Sequence, residues 1–186
     1  MPITIASRIP EKYVVVKGAG QSDFGPGLDP WETASYDLAL LEAGIENCNV
    51  VKYTSVLPPE SVEITMGEAE AAGLFHHGMV LETIMAQVNG NQGDHICAGV
   101  GRAQVYDDHG NHIGGFAAEY EGHGSADLGR VLLQQALEGI FDRRYGHHPG
   151  WYMEGEQYTV QDLCVDQQYG CVLVALGFLT FIVPEL

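Results

Sequence analysis

Thr54-Ser55, followed by Val56-Leu57-Pro58-Pro59, is the dipeptide best set to react with its own chain. It ends a β-rich run and precedes a rigid Leu-Pro-Pro, so the backbone is held from both sides. A serine hydroxyl held against the carbonyl before it can attack that carbonyl and exchange the amide for an ester. A tightly determined peptide, strained in place, would assist the step. β-Elimination from the ester would leave dehydroalanine, which hydrolyses to an α-keto acyl (pyruvoyl) end. On composition alone, a serine simply ending a strand is the ordinary reading.

Other reaction centres are poorly supported. The chain has no GxSxG, no SxxK and no catalytic Cys-His signature. Cys48, Cys97, Cys164 and Cys171 form no CxxC pair and read as free, mostly buried thiols. His76-His77 and His147-His148 are neighbours whose side chains diverge on a helix or strand, which makes poor chelates, and no HExxH occurs. No metal is expected. GAGQSDFG, from Gly18 to Gly25, lacks both the GxGxxG spacing and the lysine of a phosphate loop, and GAGQSDFGPGLDP reads as a long loop.

The elements that must position Ser55 follow from periodicity. Tyr13–Lys17 is a strand. Asp29, Pro30 and Glu32 form a helix start, and Ala34, Leu38, Leu41 and Ile45 recur as an apolar stripe up to a stop near Gly44. Asp37 is a carboxylate beside that stripe, in isolation an ordinary exposed acid. Asn47–Leu57 reads as one strand and Glu68–Phe75 as a short helix. Met79–Val88 and Ile96–Asp107 read as strands, with Asp107–Asn111 a hairpin turn into HIGGFAAEYEG. Asp127–Tyr145 is an amphipathic helix with Leu128, Val131, Leu132, Ala136, Leu137, Ile140 and Phe141 inward, and Gly170–Val183 supplies the last core strands. The expected class is α+β, a layered domain with a mainly antiparallel sheet.

At 186 residues the sequence suits one domain with a sizeable core. Its formal charge of −17 opposes nucleic acid and anionic membrane and suits a cationic small molecule, although a solvated acidic surface is the plainer explanation. No apolar run is long enough to span a bilayer, and MPITIASRIPEKY lacks the features of a signal peptide. A cytoplasmic protein is expected.

Four segments share a further property. ETASYDLALLEAGIENCNVVKYTSVLP, HHGMVLETIMAQ, GGFAAEYEG and YGCVLVALGFL resemble, in order and spacing, blocks of the pyruvoyl-dependent arginine decarboxylases. The resemblance covers most of the chain from about Glu32 to Leu179. It implies an α/β/β/α sandwich and one domain over residues 1–186, cut by the chain itself into a small chain 1–54 and a large chain 55–186. Ser55 matches the precursor of a covalent pyruvoyl cofactor, and Thr54 the new carboxyl end. Asn49 matches an asparagine used in processing and catalysis. Glu119 matches the proton donor, and Asp37 the acid that takes the substrate guanidinium. Implied too are decarboxylation of L-arginine to agmatine through a Schiff base without metal or pyridoxal phosphate, a polyamine-related role, and trimers or stacked trimers with sites between subunits.

Geometry bears on that last point. Asn49 and Ser55, six residues apart on a straight strand, would lie roughly 20 Å apart. Either the strand bends or neighbouring subunits complete one another's sites. Two other readings stay open: a pyruvoyl enzyme for another amino acid, and an unprocessed homologue that binds arginine or a polyamine without turnover.

Overall fold

Runs of small and apolar residues build two sheets, and the computed structural model, which describes residues 7–23 and 31–184, stacks them face to face. Five strands form the first in the order β3 (Asn49–Lys52), β6 (Val80–Asn91), β10 (Tyr169–Phe178), β2 (Lys12–Ser22), β5 (Val62–Glu63). Its three long central strands are antiparallel, and β3 and β5 join its edges in parallel. The second is a fully antiparallel four-stranded sheet, β4 (Val56–Leu57), β8 (His112–His123), β7 (His95–Tyr106), β9 (Tyr152–Cys164). A two-residue pair, β1 (Ile9–Pro10) with β11 (Phe181–Ile182), ties the two chain ends together. The helices α1 (Trp31–Ala43) and α2 (Met66–Ala71) cover the first sheet, and α3 (Ala126–Arg144) covers the second.

The layers are therefore α/β/β/α, as expected. β10 shows why its sequence is almost continuously apolar. Val172, Val174, Leu176 and Phe178 point between the sheets against Ile96, Ala98, Val100 and Ala117, while Cys171, Leu173 and Ala175 point toward α1. A central strand covered on both faces has no solvent side to keep polar.

Several local expectations need correction. Gly18 to Ser22 is not a loop but the second half of β2, paired residue for residue with β10. The glycines serve contact with α1, since a Cβ on Gly18 would stand 2.0 Å from the Ala39 carbonyl oxygen, and one on Gly20 2.2 Å from that of Ser35. The helix that rests on them turns its small face down. Ser35, Ala39, Leu40 and Ala43 are buried, whereas Leu38 and Leu41 of the expected stripe are 42% and 55% exposed. In α3 the inward positions are Gly129, Leu133 and Leu137, and Leu128 and Val131 face outward. The helix start read at Asp29, Pro30 and the Glu32 side chain lies outside the described residues.

Two further differences concern strands. No strand is expected over β9, because WYMEGEQYTVQDLC mixes polar with apolar residues, as an edge strand half open to water does. Asn47–Leu57 is not one strand, because β3 stops at Lys52 in the first sheet and the chain resumes as β4 in the second.

Candidate active site

That break falls at Thr54-Ser55. Upstream, the Tyr53 N–H donates to the Thr83 carbonyl at 2.6 Å, fixing residue 53 to the first sheet. Downstream, the Ser55 carbonyl accepts from Ala117 N–H at 3.1 Å, and Val56 and Leu57 pair with Phe116 and Gly115 of the second. Thr54 is the single residue bridging two sheets. Its carbonyl, the one Ser55 would attack, accepts the Val56 N–H at 3.1 Å, a three-residue turn centred on Ser55. No described non-glycine residue has a positive φ, so hydrogen bonds rather than left-handed backbone hold this dipeptide.

The Ser55 hydroxyl meets a carboxylate. Its Oγ lies 2.7 and 2.9 Å from the two carboxylate oxygens of Glu119 on β8. Strand parity explains the meeting. Glu119 stands three residues beyond the Val56–Phe116 pair, past buried Phe116, Ala117 and Ala118, where the side chains of β8 begin to reach solvent. Glu121, on the same face, accepts the Gln87 N–H at 2.9 Å and lies 3.5 Å from Lys52 Nζ, which braces the sheets beside the site.

Asn49 and Asp37 stand elsewhere in the chain. Asn49 opens β3, three residues before its end, and its side-chain amide donates to the Gly78 carbonyl at 2.9 Å. Asp37 is exposed on α1, in the outer layer on the far face of the first sheet. The structure thus brings Thr54, Ser55 and Glu119 together and leaves Asn49 and Asp37 out of contact with them within one chain. A cleft of about 210 Å³ opens next to Asn49, lined by Asn47, Cys48, Met66, Glu70, Phe75 and His76 among others. Burial, with the charge of Glu46, pushes the Cys48 thiol up, which suits a structural thiol there. Among the described residues no group of three or more His, Cys, Asp or Glu is placed to hold a metal.

One residue that sequence reasoning misses, Glu82 on β6, reaches Tyr53 beside the dipeptide. Glu82 is 5% exposed, and its two carboxylate oxygens are taken by Arg8 and by the Tyr53 hydroxyl. A charged residue inside the apolar run VLETIMA was the available signal, since a lone acid in a central strand is rarely without purpose.

Comparison with known proteins decides the lineage. The sequence matches the family profile described as pyruvoyl-dependent arginine decarboxylase (PvlArgDC) over residues 12–183. The chain belongs to the pyruvoyl-dependent arginine decarboxylase family. It is 37% identical to the pyruvoyl-dependent arginine decarboxylase AaxB of Chlamydia abortus, over 94% of this chain and 93% of the relative. The protein of that name from Chlamydia caviae is equally similar, 37% identical over the same shares. A pyruvoyl-dependent arginine decarboxylase of Methanopyrus kandleri is 32% identical over 52% of this chain and 55% of its own.

Proposed function

We propose that this protein cleaves itself between Thr54 and Ser55 and then decarboxylates L-arginine to agmatine. The observation that carries the reading is the Ser55 hydroxyl seated between both oxygens of Glu119, on a dipeptide bridging two sheets. Family membership supplies the class of cofactor and substrate.

Glu119 takes the proton as Ser55 Oγ adds to the Thr54 carbonyl carbon. The Val56 N–H, already on that carbonyl oxygen, supports the negative charge that develops there. The C–N bond then breaks, the Ser55 nitrogen takes a proton, and an ester joins Thr54 to the Ser55 side chain. Loss of the Ser55 α-proton expels the Thr54 carboxylate, and the dehydroalanine left behind is hydrolysed with release of ammonia. The residues fit the pyruvoyl group so formed, because residue 55 stays fixed through its own carbonyl to Ala117. When present, that group supplies a carbonyl that condenses with the substrate α-amino group and draws electrons from the carboxylate leaving as CO2.

Glu119, beside residue 55, returns a proton to the α-carbon. Asp37 takes the guanidinium in a forked, charge-assisted pair, and Asn49 assists both processing and turnover. Because these two stand apart from Ser55 within one chain, sites are completed between copies in a trimer or a pair of stacked trimers. No helix among the described residues is long and apolar enough to cross a membrane, and work in the cytoplasm completes the reading.

Incubation of purified protein with L-arginine should yield agmatine and CO2 in equal amounts. Ser55→Ala should yield neither. Agmatine from Ser55→Ala would place the chemistry elsewhere, and wild-type protein that binds arginine without turnover would favour a non-catalytic homologue.

A further inference from the structure

The side chains of Glu82, Ile84 and Ala86 share one face of β6, and the last two are wholly buried between the sheets. An acid in line with them is costly unless paired, and replacing a buried ion pair with apolar residues is often neutral or stabilising. Stability alone is therefore a weak reason for Glu82. Its partners suggest another. Arg8, 53% exposed along its side chain and 4.6 Å above the Phe181 ring, takes one oxygen. The other accepts the hydroxyl of Tyr53, whose ring packs 6.1 Å from that of Phe178. Thr83, next along β6, holds the same stretch through its carbonyl to Tyr53 N–H and its hydroxyl to the Val51 carbonyl at 3.2 Å.

We propose that Glu82 is a positioning residue for self-cleavage, acting through the Tyr53 hydroxyl to hold the acyl side of the Thr54–Ser55 bond. The inference rests on the self-cleavage proposed above. Residue 55 is fixed to the second sheet, so the approach of its Oγ to the Thr54 carbonyl depends on where residue 53 is fixed on the first. Glu82 and Thr83 set that place, one by side chain and the other by backbone. Neither Glu82 nor Tyr53 touches Ser55 Oγ or Glu119 in the structure, so their effect is on placement.

Glu82→Leu continues the apolar face of β6 and releases Arg8 to water, and Tyr53→Phe removes only the hydroxyl. Cleavage of full-length protein is followed by denaturing mass spectrometry over time, with hydroxylamine added in parallel samples to trap the ester. Melting temperatures are read in a Ser55→Ala background, where nothing can be cut. Each variant should slow cleavage on the order of tenfold to a hundredfold, as a misplaced reacting group does, and lower the hydroxylamine-trapped fraction in step. Melting should move by no more than about 4 °C. The double variant should be no slower than the slower single one, because both remove one interaction. Wild-type cleavage rates in either variant would overturn the proposal, as would rates that multiply in the double variant. Should Glu82→Leu not fold, Tyr53→Phe decides alone. Uncut wild-type protein would instead refute self-cleavage itself.

Discussion

Replacing Glu119 with glutamine tests the chemistry at Ser55 while leaving its surroundings in place. The two side chains have nearly the same shape, and glutamine keeps one oxygen able to accept from Ser55 Oγ, now 2.7 and 2.9 Å from the carboxylate oxygens. What it loses is the capacity to take the proton. A positioned general base is worth about 10²- to 10⁴-fold, or roughly 3–5 kcal/mol of barrier at about 1.36 kcal/mol per tenfold. Glu119 is solvent-exposed, so the cost to folding should stay within about 0.5 kcal/mol. The assay is a time course of chain cleavage at constant pH and temperature, beside a melting curve of each protein in the Ser55→Ala background. Glu119→Gln should melt like its parent and cleave at least about a hundred times more slowly. Cleavage within about threefold of wild type would show that the carboxylate serves only as a hydrogen-bond acceptor, and the base would have to be sought elsewhere.

Other expectations follow from the same geometry. Gly18→Ala puts a methyl 2.0 Å from the Ala39 carbonyl oxygen, and Gly20→Ala one 2.2 Å from that of Ser35. Each should cost about 3 kcal/mol or more by urea unfolding, and, since α1 carries Asp37, weaken arginine binding in protein that still folds. Asp37→Asn should raise KM for arginine on the order of tenfold to a hundredfold through loss of a charge-assisted pair while chain cleavage keeps its rate; equal loss of both would make Asp37 structural. Burial pushes the Cys171 thiol up to about 12, and burial with the charge of Asp162 pushes Cys97 to about 11. Iodoacetamide at pH 8 should therefore label exposed Cys164 and spare Cys97 and Cys171 until the protein unfolds, which peptide mapping would read.

Most long strands could be read from the sequence because, like β10, they carry runs of small or apolar residues, whereas the α/β/β/α layer order came from the resemblance. Periodicity did less well where contacts between elements override it. Leu38 and Leu41 look inward in the sequence, yet the close approach of α1 to Gly18 and Gly20 turns Ser35, Ala39, Leu40 and Ala43 down instead. Those glycines looked like a loop because their function, admitting a helix, depends on an element far away in sequence. β9 was silent because an edge strand carries polar residues on its open face. At the site, Ser55 and Glu119 were placed by resemblance, and their contact is visible only once β4 lies beside β8. Glu82 is marked in the sequence only by a charge inside an apolar run. The segment around Tyr53 reads as continuous strand because Lys-Tyr-Thr-Ser has no glycine or proline to mark a crossing between sheets.

The most direct measurement is the intact mass of purified full-length protein under denaturing conditions. Self-cleavage at Ser55 gives two chains, residues 1–54 and 55–186. The larger should be about 17 Da lighter than a chain beginning with serine, because the net change is the loss of ammonia. A single uncut mass that persists after long incubation would contradict self-cleavage and leave Ser55 as a residue joining two strands.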